Sequence, residues 1–194
     1  MSTAMSRSKD FDDTQIGADI NLNYQDVTVR SLSWKDSLVY SQMREKNSDS
    51  VFPYEIIDMT KRPKISLAIN YQGLPAGEIC IWNIRENEKA CMISYWVDES
   101  LRRKKIATRA VALVTDYCLL ELDMEEIEAP VLEDNKASKE LLMKLSYSIA
   151  GYETFTGKDG IQRPHETYLL VKPENGIVYS LIDFLEMMAQ PPAE

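Results

Sequence analysis

The sequence is short of the residues on which metal, disulfide and membrane proteins depend. Its 194 residues hold one histidine and three cysteines. Cys80, Cys91 and Cys118 are odd in number, widely spaced and each set in an apolar stretch. Neither a disulfide framework nor a zinc site is supported, so no metal is expected and the thiols read as buried groups of a reducing cytosol. No apolar run approaches the roughly 18 residues of a membrane span. The opening stretch, MSTAMSRSKDFDDTQ, lacks the apolar core of a signal peptide, and a cytoplasmic protein is expected. Positive charge is scarce as well, with 22 Lys and Arg against 31 Asp and Glu and a net charge of -9. Such a chain repels phosphate except where its cations cluster, which argues against a nucleic-acid or anionic-membrane binder and favours basic partners. No internal repeat is visible.

What remains is an ordinary globular composition, 44% hydrophobic and 27% charged, enough for one core and a single domain. Residues 1–25 are rich in Ser, Asp, Thr and Asn and read as a flexible arm. In DVTVRSL, Val27 and Val29 alternate with Thr28 and Arg30, the period of a half-buried strand. SWKDSLVYSQMREK follows as a helix, with Ser33 available as N-cap and Trp34, Leu38, Val39 and Met43 near helical spacing. Three strands with short turns come next, over 65–71, 76–84 and the ACMISYWV stretch, forming an antiparallel meander. A broad apolar stripe from Ile106 to Leu122 marks a long helix. EEIEAPVL then reads as a strand interrupted by Pro130, which has no N–H to give and should stand where a ladder partner is missing. A short helix with Asn135 as N-cap, a hairpin around TGKDG, and an amphipathic helix carrying Ile177, Val178, Leu181, Ile182, Leu185 and Met188 complete the chain. That last helix could be a homodimer surface, though packing on its own domain is the commoner outcome.

One stretch runs against the overall charge. Arg102, Arg103, Lys104 and Lys105 sit between a strand and the long helix, where orphan N–H groups and the helix dipole favour an anion. A solvated loop is the plain alternative. The run from Arg102 to Ala107 resembles the pyrophosphate signature of the GNAT superfamily, which is Arg or Gln, two variable residues, Gly, one variable residue, then Gly or Ala. EDNKASKELLMKLSY, with Asn135 and Tyr147, resembles a second element of that superfamily, and the order of elements agrees. Within it, the chain is most similar to the ribosomal-protein N-alpha-acetyltransferase branch over residues 27–172. Two glycines of the pattern are missing: Lys105 and Ser146 stand in their places, where glycine normally permits positive φ.

The resemblance implies an α/β fold of the α+β kind, with a mixed, mostly antiparallel central sheet that is flanked by helices and splayed between its fourth and fifth strands. It sets the domain at residues 26–172, with 173–194 as a C-terminal helix and tail. It implies an acetyltransferase using acetyl-CoA as co-substrate, with direct attack of an amine on the thioester. The pantetheine arm would enter the splay, which would account for Pro130. Coenzyme contacts would come from Tyr95, Trp96, Val97, Arg102, Arg103, Lys104, Lys105, Ile106, Ala107, Thr108, Asn135 and Ser138. The family's tyrosine on the short helix is replaced by Leu142, leaving Ser138 as the candidate proton donor to the thiolate, with a capping or surface hydroxyl as the alternative. Glu78 and Glu166, the latter beside His165, are the candidate bases, each also readable as a solvated charge. Cys118 on the apolar helix face is disfavoured as a nucleophile. Of Trp82, Tyr95 and Trp96, one is expected to line the acceptor groove. An α-amine of pKa near 7.8 is roughly a third neutral at pH 7.5, whereas a lysine near 10.4 is about 0.1% neutral. The thin supply of bases therefore favours a protein or peptide N-terminus as acceptor. A small amine or antibiotic acceptor and a non-catalytic acyl-CoA sensor are the competing functions.

Overall fold

The computed structural model describes residues 20–47, 64–173 and 180–189. Within them lie eight strands and four helices: β1 (Asn21–Tyr24), β2 (Val27–Ser31), α1 (Ser37–Lys46), β3 (Lys64–Tyr71), β4 (Leu74–Arg85), β5 (Ala90–Val97), α2 (Ile106–Leu120), β6 (Glu126–Leu132), α3 (Lys136–Lys144), β7 (Ser148–Thr156), β8 (Gln162–Val171) and α4 (Leu181–Ala189). The strands form one sheet in the order β1-β2-β3-β4-β5-β6-β8-β7. Every neighbouring pair is antiparallel except β5 and β6. None of the described helices is long and apolar enough to cross a membrane.

The two faces of the sheet have different roles. Odd-numbered residues of β2 to β6, including Val29, Leu67, Ile79, Ile93 and Ile127, are buried in one core with Ala110, Val111 and Val114 of α2 and Leu142 and Leu145 of α3. Even-numbered residues turn to the other face, where the cross-strand rows run Ser66–Cys80–Ser94 and Ala68–Glu78–Trp96. Trp82, Met92 and Phe155 make a small separate cluster there.

Two sequence expectations change. β1 begins at Asn21, inside the segment read as a flexible arm, and pairs with β2 from Asn21↔Arg30 to Tyr24↔Val27. Few large apolar groups precede it, but Tyr24 reaches the core, and the tight turn to β2 lets a short polar strand join an existing edge. Residues 1–19 of that arm, and Ile177 and Val178 of the last helix, lie outside the described residues. The first helix also presents another face than its spacing suggested. Ser33 caps a short 3-10 turn leading into α1, but Trp34 and Leu38 are exposed and Tyr40 is 2% exposed. Tyr40 donates to the Ile69 carbonyl at 3.2 Å, and Arg44, one turn on, pairs with Glu78. Polar anchors, not an apolar stripe, seat α1 on the even face.

The last helix packs on its own domain. Asp116 of α2, itself buried, accepts from Ser180 Oγ at 2.6 Å and from the N–H groups of Leu181 at 2.8 Å and Ile182 at 3.2 Å. A carboxylate from one helix thus caps the first turn of another. Leu181 is buried, and Ile182 and Leu185 pack against the core, whereas Met188 is exposed.

Both missing glycines carry the backbone conformation that glycine would have supplied, with φ of 57° at Lys105 and 67° at Ser146. A side chain there costs on the order of 1 kcal/mol. Gly77 is the opposite case, because a Cβ on it would meet the Trp96 carbonyl oxygen at 2.1 Å. Ser146→Gly should therefore raise Tm by about 1–3 °C. Gly77→Ala should lower it by roughly 3–10 °C, the consequence of about 1–3 kcal/mol of overpacking in a domain of this size. Differential scanning fluorimetry of the two variants checks both signs.

Candidate active site

The parallel pairing of β5 and β6 extends only from Ala90↔Glu126 to Met92↔Glu128, after which the strands separate. The antiparallel ladders on either side fix which backbone groups the separation exposes. Asp98 N–H bonds to the Ala76 carbonyl at 2.8 Å, so in the alternating pattern Trp96 and Ser94 bond toward β4, and Tyr95 and Val97 turn their backbone groups into the gap. On β6, Lys172 N–H to Glu125 O at 2.7 Å and Glu133 N–H to Pro164 O at 3.3 Å place the odd residues on the β8 side. Pro130 and Leu132 therefore face the gap. The N–H that proline lacks is one no neighbouring strand would have used, so the proline costs nothing in the ladder.

A cleft of about 1050 Å³ opens at this separation. Seven cationic side chains (Arg44, Lys64, Arg102, Arg103, Lys105, Lys144 and Lys158) and three acidic ones (Glu78, Asp134 and Glu140) line it, reversing the sign of the whole molecule. Its walls include Tyr95, Trp96, Val97, Arg102, Arg103, Lys105, Ile106, Ala107, Thr108, Asn135 and Ser138. Eleven of the twelve residues named from sequence as coenzyme contacts thus share one cavity. Lys104 departs from that set, since its ammonium lies over the Tyr71 ring, 5.4 Å from the centroid. Positive φ at Arg103 turns the loop there, and the neighbouring side chains separate.

The loop is braced from outside. Arg109 Nη2 donates to the Lys104 carbonyl at 2.9 Å and Nε to the Lys105 carbonyl at 3.3 Å, while Nη1 pairs with Asp26 in the β1–β2 turn. These carbonyls are held outward, and the N–H groups opening α2 remain on the cleft side. Lys105 is the N-cap of α2 and supplies no side-chain acceptor, so the orphan amides of the first turn are available to an anion. The loop's other end is pinned by Asp98, which accepts from Ser100 N–H at 2.9 Å, Asn47 at 3.1 Å and Lys46 at 3.1 Å. Burial opposes the Asp98 charge, but the hydrogen bonds from Ser100, Asn47 and Lys46 outweigh it and hold the carboxyl well below the usual range. Its contribution is complete above the unfolded value near 3.9 and is lost as pH falls through the folded value.

Asn135 caps α3 through Oδ1, which accepts from Ser138 N–H at 3.2 Å. Ser138 Oγ in turn lies 2.8 Å from Tyr95 OH, so a strand tyrosine and a helix serine form a hydroxyl pair beside the gap. Burial pushes the Tyr95 phenol up to about 12, with the Ser138 hydrogen bond drawing it partly back. Leu142, at the family's tyrosine position, is fully buried. Sequence alone could not show that a tyrosine from β5 brings a hydroxyl to the same helix.

The carboxylates separate. Glu78 lines the cleft, but Arg44 holds both of its oxygens, through Nε at 2.6 Å and through Nη2, and Trp96 Nε1 adds a bond at 3.0 Å. Glu166 lies on the opposite face, paired with Lys139 of α3 at 2.6 Å and with Tyr168 OH at 3.1 Å. It is not among the residues that line the cleft, so the two carboxylates named as candidate bases do not share one site. His165, the neighbour of Glu166 in sequence, does border the cleft. Strand alternation was the signal: 165 and 166 cannot face the same side. Cys118 is buried with Cys91, and the contact with Cys91 together with burial raises its thiol well above the ordinary value. Trp82 is fully buried, while Tyr95 and Trp96 reach the cleft. No cluster of His, Cys, Asp or Glu among the described residues would hold a metal.

A splayed mixed sheet, a cationic strand-to-helix loop and open strand edges together define an acyl-CoA-dependent transferase architecture. The model of the GNAT acetyltransferase domain matches residues 7–148, and the chain belongs to that family. The chain is 31% identical over 93 residues to the probable N-acetyltransferase YjcK of Bacillus subtilis (strain 168), covering 47% of this chain and about half, 51%, of that protein. Among solved structures it is similar in fold to Mycobacterium smegmatis RimJ in complex with CoA-disulfide, with a TM-score of 0.75, 20% identity, and coverage of 88% of this chain and 93% of that one. It is also similar to the ribosomal-protein-S5-alanine acetyltransferase of Vibrio fischeri, with a TM-score of 0.69, 16% identity, and coverage of 80% and 98%.

If the loop and the α2 terminus seat a pyrophosphate, acetyl-CoA alone should stabilise the protein. At a hundredfold excess over Kd the gain is about 2.7 kcal/mol, or roughly 5–10 °C in Tm. Ala107→Asp should abolish that shift without unfolding the protein, Arg109→Ala should reduce it, and Lys105→Gly should preserve it. A shift below one degree at millimolar acetyl-CoA would leave the cationic run as a solvated loop.

Proposed function

We propose that the protein transfers an acetyl group from acetyl-CoA to a primary amine, most specifically the N-terminal α-amine of a protein or peptide. The observation that carries this reading is the open edge of β5 beside the Tyr95–Ser138 pair: backbone donors for a carbonyl oxygen and hydroxyls for a departing sulfur converge on one gap. CoA-bound RimJ and the ribosomal-protein-S5-alanine acetyltransferase, both of this fold, support the choice of co-substrate and of a protein N-terminus.

In this mechanism the pantetheine arm lies between β5 and β6, and the backbone N–H groups of Tyr95 and Val97 polarise the thioester carbonyl, strengthening their bonds as charge builds on oxygen. The amine attacks the carbonyl carbon directly, and holding it in line supplies much of the acceleration. As the C–S bond breaks, Ser138 donates a hydrogen bond to the sulfur and accepts one from Tyr95. A phenol near 12 is a weaker acid than a thiol near 8.5, so the pair stabilises the thiolate by hydrogen bonding in series instead of surrendering a proton outright. The acidic exterior attracts basic acceptors over distance, while the cationic cleft receives the phosphates.

A panel of unblocked peptides, N-terminally blocked lysine peptides, polyamines and aminoglycosides tests the acceptor class by mass gain and thiol release. Unblocked peptides should be acetylated fastest, with KM for Lys- and Arg-rich sequences lower at low salt. Acetylation of aminoglycosides alone would replace the N-terminal reading, and a thermal shift without thiol release would favour the sensor. Ser138→Ala should lower kcat about ten- to a thousandfold while keeping the acetyl-CoA shift. Unchanged turnover would return Ser138 to helix surface.

A further inference from the structure

We propose that His165 takes the proton released by the attacking amine, acting from the sheet face opposite α2. This rests on the transfer reading above and adds the base that neither glutamate provides.

The placement follows from the register. β5 and β6 pair with a constant offset from Ala90↔Glu126 to Met92↔Glu128, and the same offset carried onward sets Trp96 level with Leu132 across the gap. Leu132 is opposite His165 on β8, and Trp96 is opposite Glu78 on β4. One row therefore runs Glu78, Trp96, gap, Leu132, His165, with all four side chains on the even face of the sheet. The N–H groups proposed to hold the thioester oxygen belong to Tyr95 and Val97, which flank Trp96 in that row. His165 stands one strand beyond the far lip, a spacing of about 4.8 Å, and, though buried, it is among the residues that line the cleft. The opposite face is occupied by α2, α3 and the Tyr95–Ser138 pair. An amine entering on the even face thus meets His165, while the sulfur leaves toward Ser138.

The ring is oriented for the task. Nδ1 lies 2.9 Å from the Arg163 carbonyl oxygen, and a carbonyl only accepts, so Nδ1 carries the hydrogen and neutral His165 keeps a bare lone pair on Nε2. Phe155 packs edge-on at 5.2 Å between centroids and fixes the ring plane. Two charged groups act on it, Arg163 on its own strand and Glu153 opposite on β7, and Arg163 is in turn paired to Asp159 of the connecting turn at 2.6 Å. Burial is the largest influence and lowers the imidazole from its ordinary value, Arg163 adds to this by its charge, and the Arg163 carbonyl and Glu153 oppose it. The ring is consequently neutral at pH 7, as a base must be before it acts.

The step balances within the named reactants. The amine nitrogen bonds to the carbonyl carbon, the C–S bond breaks with its electron pair on sulfur, and the proton on the new ammonium passes to Nε2. The imidazolium then returns that proton to the thiolate or to solvent, regenerating the base. No oxidant or metal is needed.

His165 is the sole histidine of the sequence, so its signals are unambiguous. In histidine-15N-labelled protein with acetyl-CoA bound, NMR should show a protonated Nδ1 and a bare Nε2, with a titration midpoint below 6.5. The acid limb of kcat for an unblocked peptide should fall at that midpoint. His165→Asn keeps a donor for the Arg163 carbonyl but has nothing at Nε2. It should lower kcat ten- to a thousandfold, remove that limb and retain the acetyl-CoA thermal shift, with a smaller loss for a weakly basic aminooxy peptide. An Asn variant that keeps the wild-type kcat and limb overturns the proposal, as does an Nε2-protonated tautomer in the wild-type spectrum, which decides the matter even if the variant does not fold. A wild-type protein that releases no thiol with any amine overturns the transfer reading itself.

Discussion

The structure depends on a ladder that stops. β5 and β6 share only three register pairs at their base and then part, leaving backbone groups of Tyr95 and Val97 on one lip and Pro130 and Leu132 on the other. Open strand edges in a protein interior are costly unless something satisfies them, and here the chain limits the cost in two ways. Pro130 removes one donor at the position where it would have had no partner, and Asn135 N–H bonds the Leu132 carbonyl at 2.9 Å. The rest of the opening is a surface whose hydrogen-bonding capacity suits an extended, amide-bearing ligand, which is the chemical character of a pantetheine arm.

Around that opening the backbone is held in uncommon conformations without glycine. Lys105 and Ser146 both occupy the left-handed region, one at the start of α2 and the other just before β7. Each is tolerated because its surroundings over-determine it. Arg109 grips the carbonyls at 104 and 105 from outside, and Ser146 N–H bonds to the Met143 carbonyl at 3.1 Å while the next residue, Tyr147, is locked by Thr115 at 2.7 Å. The strain is carried by fixed hydrogen bonds, so the amides of the first turn of α2 stay aimed into the cleft.

The sheet also divides labour between its faces. The odd face carries the main core, α2, α3 and the hydroxyl pair. The even face carries α1, the Arg44–Glu78–Trp96 cluster and His165. Glu78 is buried with both oxygens committed to Arg44, a pairing whose loss would leave a buried charge uncompensated. Through these bonds it holds α1 and the Trp96 indole in place. Seven cations line the cleft of a chain of net charge -9, so the opening carries the opposite sign to the rest of the surface.

Much of this was legible in the residue order. Period-two and period-3.6 patterns located the meander, the long helix, the proline strand and the hairpin, because each is a local rule about which side chains face a core. The cationic run and Asn135 marked one wall of the cleft, because helix termini advertise their needs through neighbouring residues. Local rules failed where the partner was distant. The short strand at Asn21 exists because β2 offers it an edge, and α1 presents Tyr40 because Asn70 and the Ile69 carbonyl are there to meet it. By itself the sequence determined most of the elements, the family motif and the place of the cationic run, all of which follow from contacts within a few residues. Only the tertiary structure decided that Tyr95 meets Ser138 across 43 positions, that Glu78 is consumed by Arg44 across 34, and that of two adjacent residues His165 faces the cleft and Glu166 does not. Those outcomes depend on strand register and face, which fix direction in space and leave no mark on the order of the chain.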